Sequence, residues 1–183
     1  MGLRLKKTVV MVGMMGAGKT AVGTALARRL GVPFLDSDAE IEAAARMSIA
    51  EIFDRDGETF FRDKEAQVIE RLMAGPAGVL STGGGAWLRR ENRETIRTRG
   101  VALWLQADLD VLWARVKHKD TRPLLRTDDP KATLARLLEE RAPWYAEADI
   151  TVRSEGGRSI GEMVERVIAA LAERADVLVG VEA

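Results

Sequence analysis

Gly13-Met14-Met15-Gly16-Ala17-Gly18-Lys19-Thr20 is the most informative segment of this 183-residue chain. It fits the pattern G-x-x-x-x-G-K-[ST], in which backbone N–H groups turn inward and contact phosphate oxygens. Glycine is required because a Cβ would block that approach and because some positions need a positive φ. Lys19 would place a charge on the outer phosphates of a nucleotide, and the Thr20 hydroxyl would reach Mg²⁺. The segment therefore predicts a phosphate-binding loop.

The residues on either side of this loop have the patterns of a strand and a helix. Residues 8–12 are a β-branched apolar run that ends at the loop. Residues 20–30 carry apolar side chains at helical spacing, with Gly31 and Pro33 as stop signals. A helix that starts at the loop directs its N-terminal dipole at an anion. Strand, loop and helix follow one another in the order that the motif requires.

Composition limits the classes of protein that need to be considered. The chain is long enough for one α/β domain, residues 1–183, and 46% of its residues are hydrophobic. Lysine plus arginine and aspartate plus glutamate both number 28, so the net charge is zero. This balance predicts no nucleic-acid partner and no membrane partner. The absence of cysteine excludes disulfides and thiolate metal sites and favours a cytoplasmic location.

Asp36-Ser37-Asp38 follows a short apolar strand at residues 32–35. Ligands in open α/β sheets bind at the carboxyl ends of the strands, so these acids are candidates for the site. They are equally good helix N-caps, because residues 39–46 have a helical pattern. Both interpretations can hold together, with one acid capping or coordinating and the other facing a substrate.

The next segment has two helices and a possible ion pair. Ser48 and Glu51 form a capping box that starts a short helix, Gly57 ends it, and a longer helix covers residues 58–74. Arg62 and Glu65 are three residues apart on the second helix and can pair. By itself this spacing is typical of an ordinary surface ion pair.

Further along, a glycine run and a charged loop are candidate parts of the site. Gly83-Gly84-Gly85 follows a strand at residues 79–82, which fits either a close approach of the backbone to a ligand or a flexible turn. Residues 117–129 are polar, lack periodicity and contain Arg122 and Arg126. A loop of this length in a compact domain is often an active-site lid.

The remaining elements complete an alternating pattern. Strands are predicted at residues 101–105 and 149–153, and helices at 108–117 capped by Asp108, at 129–141 ending near Pro143, and at 159–174. The tail from residue 175 has no assignment. The predicted fold class is α/β, with a three-layer α/β/α arrangement around a mainly parallel five-stranded sheet.

Taken in order, these motifs resemble those of the shikimate kinase family over about residues 8–172. The motifs are the phosphate loop, Asp36-Ser37-Asp38, Phe60-Phe61-Arg62 with Glu65, Gly83-Gly84-Gly85, Thr121-Arg122-Pro123-Leu124-Leu125 and Arg141-Ala142-Pro143-Trp144-Tyr145. The resemblance implies a phosphate-loop NTPase fold of the nucleoside-monophosphate-kinase-like type, with a substrate-binding helical segment at about 37–64 and a lid at about 117–129. It implies transfer of the ATP γ-phosphoryl group to the 3-hydroxyl of shikimate, in chorismate and aromatic amino acid biosynthesis. It also implies one Mg²⁺ per ATP and a monomeric enzyme.

The resemblance implies roles for individual residues as well. The ATP site would contain Gly16, Ala17, Gly18, Lys19, Thr20, Arg115 and Arg122, with Arg115 stacking on adenine. Thr20 would bind the metal ion directly, and Asp36 would bind it through water. Shikimate would be bound by Asp38, Arg62, Gly83, Gly84, Gly85 and Arg141, with the two arginines on its carboxylate. Lys19, Asp38 and Arg122 would be catalytic, although a loose transition state does not need Asp38 as a strong base.

Two other functions are compatible with the phosphate loop. Another small-metabolite kinase, such as a gluconate kinase, would share the loop and the lid but not the set of acids, glycines and paired arginines. A GTP-dependent switch would use a D-x-x-G motif, which Asp54-Arg55-Asp56-Gly57 spells. That motif closes a capped helix instead of following a strand, and the guanine-reading N-K-x-D is absent from the sequence.

Overall fold

The computed structural model describes residues 2–119 and 122–181. Five of its strands form one sheet in the order β3-β4-β2-β5-β6. Their bounds are Thr8–Val12 for β2, Phe34–Asp36 for β3, Val79–Ser81 for β4, Gly100–Gln106 for β5 and Ile150–Arg153 for β6. All four strand pairs are parallel. The predicted α/β fold with a five-stranded sheet is therefore confirmed.

Seven α-helices accompany the strands in the described residues. They are α1 Lys19–Leu30, α2 Ser37–Ala45, α3 Ile49–Met73, α4 Arg90–Arg99, α5 Leu109–Val116, α6 Pro130–Tyr145 and α7 Ile160–Ala172. Short 3₁₀ turns occur at Ala86–Leu88 and Pro123–Leu125. Helix α1 packs on α7, and α3 packs on α4. In residues 2–119 and 122–181, no helix combines the length and the apolar character needed to cross a membrane.

The central strands β2 and β5 are the most buried part of the sheet. Val9, Val10 and Met11 of β2 are inaccessible to solvent, and Leu103 and Leu105 of β5 are equally buried. Continuous apolar strands of this kind are typical of parallel sheets covered on both faces. Because the strands are parallel, the segments after β2, β3 and β4 all leave the sheet at one edge. This is where the phosphate loop, the two aspartates and the glycine run meet.

The helix boundaries follow the sequence signals in most places. Ser48 and Ser159 each form a complete capping box, and Asp129 caps α6 with Pro130 in the first turn. At Gly57, φ is 85° and the helical path is interrupted, so α3 consists of two helices that meet at a bend. The predicted boundary at Gly57 is thus confirmed.

Two predictions at helix ends differ from the structure in detail. Helix α6 continues through Pro143 to Tyr145. The buried side chain of Tyr145 and its hydrogen bond to Gly84 O hold that last turn in place. Asp108 is at the N-cap position of α5 but makes no capping hydrogen bond. Its carboxylate instead pairs with Arg153, 2.7 Å away.

The chain also has a small antiparallel pair that the sequence analysis does not predict. Strand β1, Gly2–Leu5, pairs with β7, Leu178–Val181, in the unassigned tail. The amide of Lys6 donates to Val177 O at 2.8 Å, and Val177 and Leu178 are buried. The two strands are short and lie at opposite ends of the described chain, so their pairing is a long-range contact.

Candidate active site

The phosphate loop connects β2 to α1 with its glycines in positive-φ conformations. Gly16 has φ 83° and Gly18 has φ 95°. Gly18 occupies the N-cap position of α1 and has no side chain, so no side chain caps the first amides of the helix there. This is the local geometry that binds an anion at a helix N-terminus. The predicted loop conformation follows from glycine at these two positions.

Lys19 is only 8% exposed and lies inside the loop. Its Nζ donates to Gly13 O at 2.7 Å and to Met14 O at 2.8 Å. Burial, together with the positive charge of Arg122, lowers the pKa of Lys19 from 10.5 to about 7. An incoming polyanion would reverse this shift, because it stabilises the ammonium form.

A cavity of about 920 Å³ opens over this loop. Its lining includes every residue predicted for the ATP site: Gly16, Ala17, Gly18, Lys19, Thr20, Arg115 and Arg122. Arg115 donates from Nη1 to Gly16 O at 2.9 Å, which ties α5 to the loop. The structure therefore brings the seven residues together around one space.

Thr20 and Asp36 lie side by side at the edge of that cavity. Thr20 Oγ1 donates to Asp36 Oδ2 at 3.0 Å. The other oxygen of Asp36 accepts from the amides of Asp38 and Ala39, so Asp36 also caps α2. Both interpretations of this acid thus agree with the structure. A hydroxyl and a carboxylate are hard oxygen ligands of the kind that Mg²⁺ prefers.

Among the described residues, Thr20 and Asp36 do not belong to a larger group of metal-binding side chains. In residues 2–119 and 122–181 there is no group of three or more His, Cys, Asp or Glu side chains placed to hold a metal ion. Mg²⁺ bound with phosphates usually takes only one or two protein ligands and keeps several waters. Thr20 and Asp36 together fit that requirement.

A second cavity of about 570 Å³ adjoins the first. Its lining includes all of the residues predicted to bind the acceptor: Asp38, Arg62, Gly83, Gly84, Gly85 and Arg141. Asp38 and Arg122 line both cavities. A group bound in one cavity would therefore lie next to a group bound in the other.

Several buried polar atoms of residues that line this cavity have no hydrogen-bond partner among the described residues. They are Asp38 Oδ1, Glu65 Oε2, Arg122 Nε and Arg141 Nη1, and all four residues line the second cavity. An unpaired buried polar group costs about 1–3 kcal/mol, more when it is charged. The donor and acceptor set suits a small ligand that carries both a carboxylate and hydroxyl groups.

The ion pair of Arg62 with Glu65 is buried, unlike an ordinary surface pair. The Nη1 and Oε1 atoms are 2.9 Å apart, and Glu65 has 0% side-chain exposure. Burial raises the pKa of Glu65, and the neighbouring Arg62 opposes that rise. Glu65 thus fixes one end of Arg62. The spacing of three residues showed that the pair could form, but only the tertiary structure shows that Glu65 is buried beside the second cavity.

The three glycines provide space for these charged side chains. A Cβ on Gly83 would come within 2.9 Å of Asp38 Oδ1, and one on Gly84 within 3.1 Å of Arg141 Nη1. A Cβ on Gly85 would lie 2.5 Å from Arg62 Cζ. Consecutive glycines therefore allow an acid and two guanidinium groups to approach the same turn. The close approach seen at this run is to the protein's own side chains, and the approach of its backbone to a ligand stays a prediction.

Asp38 and Arg141 are two further charged side chains that line the acceptor cavity. Burial, and next the negative charge of Asp36, raise the pKa of Asp38. Arg141 is 5% exposed, and the hydroxyl of neighbouring Tyr145 donates to Gly84 O.

Of the predicted lid, residues 120 and 121 lie outside the described residues. Arg122 is a described residue of that lid, and its positive charge lowers the pKa of Lys19 and opposes the rise in the pKa of Asp38.

These features define a phosphate-loop kinase that has a separate, arginine-lined cavity for a small acidic acceptor. A family model described as "Shikimate kinase" matches residues 15–172. The chain belongs to the shikimate kinase family, and its activity is that of a shikimate kinase of the shikimate pathway, which uses ATP.

Individual relatives agree with this assignment. The chain is 70% identical over 174 residues to a shikimate kinase of Ruegeria pomeroyi, covering 95% of this chain and 89% of the relative. It is 66% identical over 175 residues to one of Cereibacter sphaeroides, covering 96% and 87%. The solved shikimate kinase of Acinetobacter baumannii in complex with shikimate has a TM-score of 0.87 at 37% identity, covering 92% of this chain and 95% of that chain.

The gluconate kinase alternative is represented by a solved structure that is less similar to this chain than the shikimate kinases are. A gluconokinase from Sinorhizobium meliloti superimposes with a TM-score of 0.63 at 22% identity, covering 94% of this chain and 95% of that chain. At this identity the likeness concerns the fold alone. The gluconate kinase alternative is therefore not supported beyond a shared architecture.

Proposed function

We propose that this enzyme transfers the γ-phosphoryl group of ATP to the 3-hydroxyl of shikimate, giving shikimate 3-phosphate and ADP. The observation that carries the proposal is the convergence of Arg62, Arg141 and Asp38 on one cavity that adjoins the phosphate loop. Shikimate offers one carboxylate and three hydroxyls, which is the set of groups that these side chains can bind. The remaining roles follow from where each side chain lies.

On the nucleotide side, the loop amides of residues 16–20 bind the phosphates and Lys19 neutralises the outer ones. In the free enzyme the Lys19 ammonium donates to loop carbonyls, so it exchanges those partners for phosphate oxygens on binding. Arg115 already contacts Gly16 O. From this position its guanidinium plane forms one wall for the adenine.

Mg²⁺ would be held by Thr20 and, through water, by Asp36. When bound with ATP it supplies charge neutralisation across the phosphates. The hydrogen bond from Thr20 Oγ1 to Asp36 Oδ2 keeps these two oxygens adjacent. The capping contacts to the amides of Asp38 and Ala39 fix the orientation of the Asp36 carboxylate.

On the acceptor side, Arg62 and Arg141 bind the shikimate carboxylate from two distant segments of the chain. Arginine suits this task because its planar fork makes two parallel bonds and so sets orientation as well as charge. Glu65 holds Arg62 in place, because its Oε1 accepts from Arg62 Nη1. The glycines 83–85 leave room for both guanidinium groups and offer backbone N–H groups beside the ring.

Asp38 orients the attacked hydroxyl, and Arg122 stabilises the charge that spreads over the transferred phosphoryl group. Phosphoryl transfer needs mainly alignment and charge neutralisation, and little covalent help from the protein. Asp38 and Arg122 line both cavities, so they lie where nucleophile and γ-phosphate would meet. Closing of the lid would also exclude water, which is the competing acceptor.

ADP release is the experiment that tests this proposal, with shikimate, gluconate, AMP or no acceptor offered in parallel. We expect strong turnover with shikimate alone. Arg62→Ala and Arg141→Ala should each raise the KM for shikimate about 10- to 100-fold, the usual effect of losing a hydrogen bond to a charged group, and leave ATP affinity nearly unchanged. Arg136→Ala is the matched control, because Arg136 pairs with Glu140 on the surface of α6. An equal loss of ATP affinity in both variants would contradict the carboxylate clamp.

We further propose that residues 1–183 form one kinase domain, with the acceptor-binding segment at about 37–64 and the lid at about 117–129. In support, one hydrophobic core includes buried residues from Leu5 to Leu178. The monomeric state and the cytoplasmic location stay predictions.

A further inference from the structure

Two charged residues join the lid to the helix beside the acceptor cavity. Arg126 follows the 3₁₀ turn Pro123–Leu125, and Asp54 lies in the first part of α3, before the bend at Gly57. Arg126 Nη1 and Asp54 Oδ2 are 3.6 Å apart, and the side chains are 44% and 72% exposed. Within the described part of the chain, this is the only ion pair between residues 122–127 and residues 49–56.

Arg126 and Arg122 lie at the two ends of one hydrogen-bonded turn. The amide of Leu125 donates to Arg122 O at 3.0 Å, and the amide of Arg126 donates to Pro123 O at 3.2 Å. The Leu125 side chain is buried in the main core and anchors the turn. A shift of Arg126 would therefore be transmitted to Arg122 through a short, constrained piece of backbone.

The ion pair lies beside the acceptor cavity without lining it. Phe53, next to Asp54, lines that cavity, as do Pro123 and Leu124 of the turn. Neither Asp54 nor Arg126 is among its lining residues. The lid turn and α3 form two walls of the cavity, and the ion pair connects these walls on the side that faces solvent.

We infer that Arg126 is a positioning residue for phosphoryl transfer, paired with Asp54 and acting through Arg122. The pair holds the lid turn against α3, so that Arg122 faces the space between the two cavities. This inference rests on the proposed function, in which Arg122 stabilises the transferred phosphoryl group. It assigns no substrate contact to Arg126 or Asp54.

The expected effect is modest because the pair is exposed. Ion pairs of this kind change an equilibrium or a rate by roughly 1.5- to 5-fold. Salt screens them, with a Debye length of about 10 Å at 0.1 M and about 3 Å at 1 M. A contribution from Arg126 should therefore be visible at low ionic strength and disappear at high ionic strength.

The test is steady-state kinetics of the full chain at low and high salt. We expect Arg126→Ala and Asp54→Ala each to lower kcat roughly 1.5- to 5-fold at low salt, with the double variant no worse than either alone. In an Arg122→Ala background, Arg126→Ala should have no further effect on kcat. The exchanged pair, Asp54→Arg with Arg126→Asp, should recover most of the loss. Arg136→Ala, which breaks another exposed ion pair, is the control and should match the wild type.

Three results would overturn the inference. One is an unchanged kcat in Arg126→Ala at low salt. Another is an equal loss of kcat in the wild-type and Arg122→Ala backgrounds, because Arg126 would then act independently of Arg122. The third is additive losses from Arg126→Ala and Asp54→Ala. Wild-type turnover with shikimate in the same assay separates these results from a failure of the proposed function, which would show as no turnover in any variant.

Discussion

At the scale of single residues, the site is a set of charges kept out of water. Lys19, Arg141 and Glu65 are all buried, and burying an ionised group is costly unless it is paired. Glu65 has Arg62 as its partner, whereas Asp38 Oδ1 and Arg141 Nη1 have no partner among the described residues. The free enzyme thus holds side chains ready for ligand groups at some cost to its own stability.

The lowered pKa of Lys19 gives a pH-dependent prediction. In the unfolded chain Lys19 has its ordinary pKa of 10.5, and in the folded free enzyme about 7. The unfolded chain therefore binds more protons between these values, so this group makes the free enzyme more stable as pH rises through that window. ATP phosphates favour the ammonium form. Binding of ATP at pH 8 should accordingly take up a proton, and binding well below pH 7 should not.

Calorimetric titration with ATP in buffers of different ionisation enthalpy measures this uptake. We expect up to about one proton at pH 8. Lys19→Arg is the matched variant, because a guanidinium stays charged throughout this range, and it should show no such uptake. A wild-type binding enthalpy that does not vary with the buffer at pH 8 would contradict the prediction.

At the scale of elements, the site depends on the segment that comes directly after each strand. The segments after β2, β3 and β4 carry the phosphate loop, the acids and the glycine run, and the parallel sheet brings these together at one edge. The caps and stops of the helices were predictable because they are local, as at Ser48, Gly57 and Ser159. The end of α6 was not, because a tertiary contact of Tyr145 overrides the effect of Pro143.

The turn that holds the three glycines gives a second prediction. Gly85 has φ −92°, which alanine also adopts, so Gly85→Ala should fold normally. Its Cβ would nevertheless lie 2.5 Å from Arg62 Cζ and displace that guanidinium. We expect the KM for shikimate to rise about 10- to 100-fold, since small misplacements at an active site have effects of that size. ATP affinity should stay the same.

Kinetics of Gly85→Ala beside Gly75→Ala would check this. A Cβ on Gly75 meets only Leu72 O, at an ordinary 3.5 Å, so that variant should behave as the wild type. If the KM for shikimate of Gly85→Ala stayed within a factor of about two, Arg62 would not have the role that we assign to it.

At the scale of the whole molecule, the two ends of the described chain pair away from the two cavities. Leu178 of β7 is 2% exposed and belongs to the main core, and it lines neither cavity. Leu178→Ala should lower the free energy of unfolding by about 2–5 kcal/mol, the usual range for a buried leucine. At ordinary assay temperature, kcat and KM should be unchanged, because the site is built from other elements.

Thermal or urea unfolding measures this loss. Gly180→Ala is the control on the same strand, because a Cβ there has no atom within 4 Å, and its midpoint should stay close to that of the wild type. An unfolding midpoint of Leu178→Ala equal to that of the control would show that β7 does not contribute to the core.

The resemblance of its motifs to the shikimate kinase family named the residues around the two cavities. The sequence by itself determined the loop, the strand–helix alternation and most of the helix caps. These depend on glycine conformations, apolar periodicity and short motifs, all of which act over a few neighbouring residues. Only the tertiary structure decided that the pair of Arg62 and Glu65 is buried, that the glycine run lies against Asp38, Arg62 and Arg141, and that β1 pairs with β7. Burial and long-range pairing depend on residues that are distant in the chain, and local spacing carries no information about them.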